Sequence, residues 1–253
     1  MNMSTSDLVN NIDVFSLEEL RNRLARCKRE KEFIETYSDQ YAKIGDKNTG
    51  HFWDQKNFFA RISSLTNPMA FHRIQKVCEF VSSLGKIKVL DVGFGPADLE
   101  RCLSGADISL FGIDISKKSV NLAKIEFKKW NFISGNFLDI KIKTKFDAIL
   151  ALEVLEHIQP EYNQLFLKKT FNLLKNGSWL VISVPLNEGL REMIKAGQNP
   201  NRHVRVYTPD IIKYELSLSG FEVVKTEILY AFNTRYKLKT FICKVFPMIR
   251  KPN

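Results

Sequence analysis

Two aspartates and two glycines between positions 91 and 114 have the spacing of a ligand-binding site. Asp91 is followed closely by Gly93 and Gly95 in the sequence DVGFGPAD. Glycines at such a turn let the backbone approach a ligand closely. Asp114 follows at the spacing of about 20 residues that suits an acid bonded to ribose hydroxyls. Because Asp98 stands where dinucleotide-binding loops have a third glycine, the pattern predicts a nucleoside-containing ligand without a pyrophosphate.

A buried strand and a following helix have to position these residues. The apolar run Val89–Val92 is typical of a short strand that is buried on both faces. Asp91 then lies at the carboxyl end of that strand, where open α/β sheets bind their ligands. A second apolar run, Leu110–Ile113, leads to Asp114 in the same way. The helix predicted after the glycines adds the positive potential of its first amides.

The glycine loop resembles the first motif of the class I S-adenosylmethionine-dependent methyltransferases, an acid-x-Gly-x-Gly-x-Gly sequence with Ala97 here at the last glycine position. The resemblance covers roughly residues 86–232. It implies S-adenosylmethionine as the cofactor, with its methionine part over the glycine loop and its ribose on Asp114. It also implies that Asn136 bonds the adenine amino group and Phe137 packs on the ring, although Asn136 could equally be an ordinary turn residue. The residues that this resemblance assigns to the cofactor are Asp91, Gly93, Phe94, Gly95, Asp114, Ile115, Asn136, Phe137 and Glu153.

A second point of resemblance is the sequence EVLEH at Glu153–His157. Methyl transfer from a sulfonium is an in-line displacement, so the enzyme mainly has to align the acceptor and exclude water. A hydroxyl acceptor also gains from a general base. His157 and His203 are the candidate catalytic bases, because an unperturbed histidine titrates near neutrality. Alternatively, His157 holds its own loop, and His203 binds a substrate anion together with Arg202 and Arg205.

Three functions are compatible with these motifs. The expected one is O- or N-methylation of a small acceptor, such as a sugar, a natural product or an anionic metabolite. The set Glu153, Glu156, His157 and His203 also resembles the metal site of small-RNA 3′-terminal 2′-O-methyltransferases. The residues after His203 lack the Phe-x-Trp-Thr-Arg pattern expected there, so we predict no metal. A catalytically silent partner protein with the same cofactor fold would carry the same first motif.

The fold that the resemblance implies is an α/β domain over residues 71–253, with a Rossmann-like sheet of seven mostly parallel strands and helices on both faces. A loop at about 186–207 is long enough to act as a lid. Residues 1–70 are predicted to form a helical extension, with one helix opening at the capping residue Ser16. Aromatic residues before the domain, such as Trp53, either line the acceptor pocket or staple the extension to the domain.

The pattern also predicts the carboxyl-terminal elements. Thr208 and Pro209 have the residue types of a helix start, and Gly220 ends that helix. Phe221–Leu229 is apolar enough to form the next strand. Thr240–Phe246 is either the antiparallel seventh strand or part of a basic amphipathic segment that contacts a membrane surface.

Composition restricts the classes of protein and partner. The net charge is +10, and residues 186–253 carry 12 basic and 6 acidic residues. This excess favours an anionic substrate, a nucleic acid or an acidic membrane surface, or it is simply a solvated surface. The four cysteines form no Cys-x-x-Cys pair, so neither a zinc site nor a disulfide framework is predicted. With no signal-peptide pattern and no apolar run of about 18 residues, a cytoplasmic location is expected.

Overall fold

The computed structural model describes residues 48–56, 68–186, 190–197, 199 and 202–229. The helix expected from Ser16 and the segment Thr240–Phe246 lie outside the described residues.

The described residues alternate between strands and helices from Pro68 onwards, after a short helical stretch at residues 50–56. The elements in chain order are α1 (Pro68–Ser83), β1 (Ile87–Val92), α2 (Asp98–Leu103), β2 (Ile108–Asp114), α3 (Lys117–Glu126), β3 (Asn131–Ser134), β4 (Phe146–Leu152), a single 3₁₀ turn (Leu155–His157), α4 (Pro160–Leu173), β5 (Leu174–Ser183), α5 (Leu190–Lys195) and α6 (Pro209–Leu218).

The strands form a parallel sheet in the order β3-β2-β1-β4-β5. Asp91 on β1 is level with Gly112 on β2 and with Leu150 on β4, while Asp114 is level with Ser134. From β1 the chain first adds β2 and β3 on one side of the sheet and then crosses to add β4 and β5 on the other, so the strand order reverses between β1 and β4. This is the position at which a doubly wound sheet opens a crevice beyond the carboxyl ends of its strands.

Seven strands were expected, and the part of the chain that the structure describes forms five. Phe221–Leu229, which we expected to be a strand, makes no strand pairing there. Its Val224 is 69% exposed, so its apolar pattern is not matched by burial. A strand needs a hydrogen-bonded neighbour as well as a suitable sequence, and the residues that follow Leu229 lie outside the described ones.

Both faces of the sheet are covered by helices, as the continuous apolar runs of its strands require. On one face, Leu90 and Ile149 pack in a core that includes Phe166 of α4. On the other face, Val89 packs in a core that includes Leu103 of α2. The α/β class expected from the sequence is therefore confirmed.

Local capping signals fix the helices that border the crevice. The side chain of Ser116 accepts a hydrogen bond from the backbone N–H of Ser119 at the start of α3. Thr208 caps α6 by accepting from the N–H of Ile211, with Pro209 in the first turn, as expected. Among the described residues, no helix is both long and apolar enough to cross a membrane.

Candidate functional site

The glycine loop after β1 adopts a conformation that its glycines make possible. Gly93 and Gly95 have φ angles of 74° and 56°, in the left-handed region that favours glycine. A Cβ on Gly93 would lie 2.6 Å from a methyl group of Val154, so a side chain there would collide first with the loop after β4. A Cβ on Gly95 would meet nothing within 4 Å. Phe94, expected at the cofactor, is buried edge-to-face against Phe132.

Asp114 connects the glycine loop to the start of α3. One carboxylate oxygen accepts from the N–H of Gly95 at 2.8 Å, and the other accepts from the N–H of Ser116 at 2.7 Å. Burial raises the pKa of Asp114 to about 6, against the effect of these two hydrogen bonds. The predicted ribose-binding acid is therefore also the residue that holds the loop in shape.

Asp91 does not stand alone, because the buried Glu100 lies beside it. Burial and the neighbouring charge of Asp114 raise the pKa of Asp91 to about 7. Burial and the charge of Asp91 raise the pKa of Glu100 well above its ordinary value. Glu100 was not among the predicted site residues, although it is one of two acids in the first turn of α2 and is buried together with Leu99 and Leu103. A group of buried acids under an open glycine loop fits a positively charged ligand such as the ammonium and sulfonium of S-adenosylmethionine.

The loop after β3 is held by Lys169, a lysine that no sequence pattern singles out. Lys169 on α4 donates to the carbonyls of Phe137, Leu138 and Ile140 at 2.6, 2.9 and 2.8 Å. The side-chain oxygen of Asn136 accepts a hydrogen bond from the N–H of Leu138. The same oxygen has a second lone pair with which it can accept from a ligand. The ring of Phe137 packs edge-to-face on Phe166 in the core. The adenine contacts assigned to Asn136 and Phe137 stay predictions.

Glu153 is held by two partners, one on β5 and one on α1. It accepts a hydrogen bond from the hydroxyl of Ser183 at 2.8 Å and pairs with Arg73 at 3.1 Å. Its φ of 55° is unusual for a residue other than glycine and marks a sharp turn after β4. This placement fits a residue that shapes the cofactor side of the cavity.

Glu156, His157 and His203, the residues predicted to lie near the acceptor, come together in one cluster. A carboxylate oxygen of Glu156 lies 3.7 Å from Nε2 of His157 and 4.0 Å from Nε2 of His203. One ligand atom from each residue lies within 4.8 Å of the other two, a spacing at which all three could hold a metal ion. Burial and the nearby His203 lower the pKa of His157 to about 3. The His157 imidazole is thus neutral at physiological pH, the form in which histidine binds metals.

The segment expected to be a lid contributes His203 to this cluster. The carboxyl-terminal part of this segment is packed into the protein. His203, Val204 and Tyr207 are buried, and Leu186 pairs with Tyr207 in an isolated parallel bridge. Arg205 is fully buried in an ion pair with Glu215. The expectation that Arg205 binds an acceptor anion is therefore wrong, because its guanidinium serves the core.

The residues predicted from the sequence to bind the cofactor or act as bases all line one continuous cavity. It includes the glycine loop, Asp114, Ile115, the Asn136–Leu138 loop, Glu153 and both histidines. Trp53, from the segment before the domain, also lines it and packs edge-to-face on His157 at 4.8 Å. Cofactor-side and acceptor-side groups thus share a single space at the carboxyl edge of the sheet.

The doubly wound sheet, with a glycine loop and a buried acid at the carboxyl ends of its strands, defines an α/β protein of the class that binds its ligands at this edge. Residues 49–226 match the protein family described as a methyltransferase domain. Since the match spans well over half of the chain, the protein belongs to that family.

Curated relatives agree with this assignment. The chain is 29% identical over 171 residues to the ubiquinone biosynthesis O-methyltransferase of Pelagibacter ubique, covering 62% of this chain and 67% of the relative. Other relatives of that name are matched over only 55% to 58% of their length.

The similarity to solved structures concerns the fold alone. Magnesium protoporphyrin IX methyltransferase from Synechocystis PCC 6803, with bound SAH, is 20% identical, with a TM-score of 0.51 and coverage of 62% of this chain and 75% of that one. The [4+2]-cyclase SpnF is 18% identical, with the same TM-score of 0.51 and coverage of 69% and 66%. Because a cyclase shares this fold, the fold by itself does not identify the reaction.

Proposed function

We propose that the protein transfers a methyl group from S-adenosylmethionine to a hydroxyl oxygen of a small acceptor. The observation that carries the proposal is the single cavity in which the acid-rich glycine loop faces the Glu156–His157–His203 cluster. Membership of the methyltransferase family supports the reaction type. The relatives named ubiquinone biosynthesis O-methyltransferase support oxygen, rather than nitrogen, as the methylated atom.

Four residues would hold the cofactor. Asp91 would bind the methionine ammonium and Asp114 the ribose hydroxyls, while Gly93 and Gly95 would allow a close backbone approach. When bound, S-adenosylmethionine supplies an activated methyl carbon for displacement. The chain then has to align the acceptor oxygen and keep water out, and alignment alone accounts for about 7–11 kcal/mol of such barriers. Trp53 lines the acceptor side of the cavity and contributes to water exclusion.

His157 is poorly suited to the role of general base. A base whose conjugate acid has a pKa of about 3 takes a proton from a hydroxyl only against a large free-energy difference. Of the two candidate bases, His203 therefore remains for the acceptor hydroxyl, or the hydroxyl reacts through alignment alone.

A second candidate function follows from the metal-ligand spacing of the cluster. A divalent ion held by Glu156, His157 and His203 would lower the pKa of a bound hydroxyl and orient an acceptor with two adjacent hydroxyls. Such an acceptor is a catechol, a sugar diol or the 3′ end of an RNA. The neutral state of His157 and the buried carboxylate of Glu156 favour this reading over our expectation of no metal.

The test combines cofactor binding with turnover. We expect micromolar binding of S-adenosylmethionine by calorimetry, and tighter binding of NAD would overturn the cofactor assignment. Label transfer from the methyl group is then measured with catechol, phenol, a sugar diol and an RNA 3′ end, before and after EDTA treatment.

The metal dependence of turnover separates the two candidates. Turnover that resists EDTA supports alignment without metal. Loss of turnover with EDTA, restored by Mn²⁺ and limited to diol acceptors, supports the second candidate. In that case Glu156→Gln should also lose the Mn²⁺ response, whereas His51→Ala, at an exposed position, should keep it.

A cytoplasmic location is part of the proposal and rests on the scattered, unpaired arrangement of the four cysteines in the sequence. Fractionation of cells that express the full chain tests it.

A further inference from the structure

We infer that Asn48 and Asp54 are positioning residues, through which the segment at residues 48–56 fixes the histidine cluster relative to the cofactor loop. We name residues 48–56 the bridging segment. The inference rests on the proposed function only in treating the histidine cluster as the acceptor side.

Asn48 ties together the two loops that carry the histidines. Its side-chain amide donates to the carbonyl of His157 at 3.3 Å and to the carbonyl of Arg202 at 2.9 Å. Those carbonyls are 109 and 154 residues away in sequence, so no local signal brings them together. An amide nitrogen has two N–H groups, and each finds one carbonyl here. Since Arg202 directly precedes His203, the amide sets the spacing of the two imidazole-bearing backbones.

Aromatic contacts reinforce this attachment. Trp53 packs edge-to-face on His157, with ring centroids 4.8 Å apart. The guanidinium of Arg202 lies 3.6 Å from the ring centroid of Phe52, which in turn packs on Trp53 at 5.0 Å. Both histidine loops therefore touch the bridging segment through side chains as well as through Asn48.

The other side of the bridging segment is fixed to the loop that follows Asp114. Asp54 accepts with one carboxylate oxygen from the hydroxyl of Ser116 at 2.7 Å and from the N–H of Lys118 at 3.0 Å. A Cβ on Gly50 would lie 2.7 Å from the carbonyl oxygen of Ile115, so only glycine allows this close approach. Ser116 also donates its N–H to Asp114, the residue assigned to the ribose.

These contacts predict that cofactor binding and the arrangement of the histidines are energetically coupled. A change at Asp114–Ser116 reaches His157 and His203 through a segment of nine residues that is attached at both ends. Coupling of this kind is reciprocal, so a disturbed bridging segment should affect cofactor affinity as well. If the bridging segment merely stabilised the fold, changes in it would lower the melting temperature without moving the two histidine side chains.

The experiment follows the imidazole NMR signals of the four histidines in the whole protein, with and without S-adenosylhomocysteine. In the wild type, we expect the ligand to shift the His157 and His203 signals. Asn48→Ala and Asn48→Asp should both displace these signals in the free protein, because Asp keeps the shape but cannot donate to carbonyls. Asn48→Ser, which keeps one donor, should lie between them and the wild type. Signals from His72 provide the internal reference.

Asp54→Asn tests the cofactor end of the same segment. We expect about a 10-fold loss of S-adenosylhomocysteine affinity, the lower end for losing a hydrogen bond to a charged group. The ligand-induced shift of the two histidine signals should disappear with it. Gln55→Ala is the matched control, since Gln55 lies in the same segment and bonds only the exposed His51 among described residues.

Variants that change the melting temperature but leave both histidine signals and the ligand affinity at wild-type values overturn the inference. None of these readouts requires an acceptor or turnover. A wild-type protein that binds no S-adenosylhomocysteine contradicts the proposed function, while the Asn48 series in the free protein still decides this inference.

Discussion

Asp114 shows how one side chain at this site serves both structure and ligand. Its two carboxylate oxygens are already bonded to the N–H groups of Gly95 and Ser116. Each carboxylate oxygen can accept more than one hydrogen bond, so capacity remains for ribose hydroxyls. The glycine loop is therefore preformed around the residue predicted to bind the ribose, and less ordering would be needed when a ligand binds.

Replacing Asp114 should weaken cofactor binding more than folding. In Asp114→Asn the side chain keeps its size but loses its charge, and its amide group cannot accept from both backbone N–H groups. We expect a loss of about 1.5–3 kcal/mol in S-adenosylhomocysteine binding free energy, measured by calorimetry.

The matched control for this variant is Asp107→Asn, because Asp107 is exposed at the opposite, amino end of β2. It should bind S-adenosylhomocysteine as the wild type does. Equal losses in the two variants would mean that the effect is one of overall charge rather than of contact.

At the residue scale, the sequence predicted candidate site residues whose place in the fold depends on near neighbours. Asp91, Gly93, Gly95 and Asp114 were predicted because a strand end and a glycine turn are local patterns. Asn48, Glu100 and Lys169 were not predicted, because each acquires its role from a partner that is distant in sequence or from burial. A lone lysine in an amphipathic helix, such as Lys169, has no feature in the sequence that distinguishes it from a solvated one.

At the element scale, the segment 202–207 illustrates how a polar sequence can enter the core. The sequence NRHVRVYT is basic and looks like a loop in contact with water. In the structure, Arg205 and Tyr207 are both fully buried, and Tyr207 donates from its hydroxyl to Glu215 on α6 at 3.2 Å. The ion pair of Arg205 with Glu215 anchors the segment on which His203 stands.

Breaking this ion pair should reduce stability without removing a contact to the cofactor. Arg205→Met removes the partner of the buried Glu215 carboxylate, and losing one member of such a pair costs about 3–5 kcal/mol. Urea unfolding measures the loss, and calorimetry should show that the affinity for S-adenosylhomocysteine falls only if the His203 imidazole signal also moves.

A double variant shows whether the loss of stability comes from the unpaired Glu215 carboxylate or from the loss of the arginine itself. Arg205→Met combined with Glu215→Leu should recover much of the stability, because no unpaired charge remains buried. Lys213→Met, an exposed change on the same helix, should have little effect. A stable Arg205→Met protein that no longer turns over its acceptor would restore the anion-binding role.

The elements themselves were predicted where capping and periodicity agree. The helix from Pro209 was expected from Thr208 and Pro209, and β1 and β4 from their apolar runs. Phe221–Leu229 was expected to be a strand and is unpaired in the described structure, because pairing depends on a second segment that local sequence does not specify.

On the scale of the whole molecule, the buried acids beneath the glycine loop link stability to pH. The folded-state pKa values of Asp91 and Asp114 are raised to about 7 and about 6. Burial raises the pKa of Glu100 well above its ordinary value. A raised pKa means that the folded state binds protons more tightly than the unfolded chain. Their contribution to stability is complete below about pH 4, the unfolded value, and is lost as the pH rises through the folded values.

The last prediction concerns Glu100, which lies deepest in this group and is fully buried. In Glu100→Gln the side chain keeps its shape but cannot ionise, so it loses no stability as the pH rises. We expect the free energy of unfolding to fall less steeply between about pH 5 and pH 8 than in the wild type, with a difference of about 1.4 kcal/mol for each unit by which the folded pKa is raised within that range. Urea unfolding at several pH values measures the slope. Glu222→Gln, an exposed change, should reproduce the wild-type slope, and a Glu100→Gln slope equal to that of the wild type would show that Glu100 does not ionise differently in the folded and unfolded states.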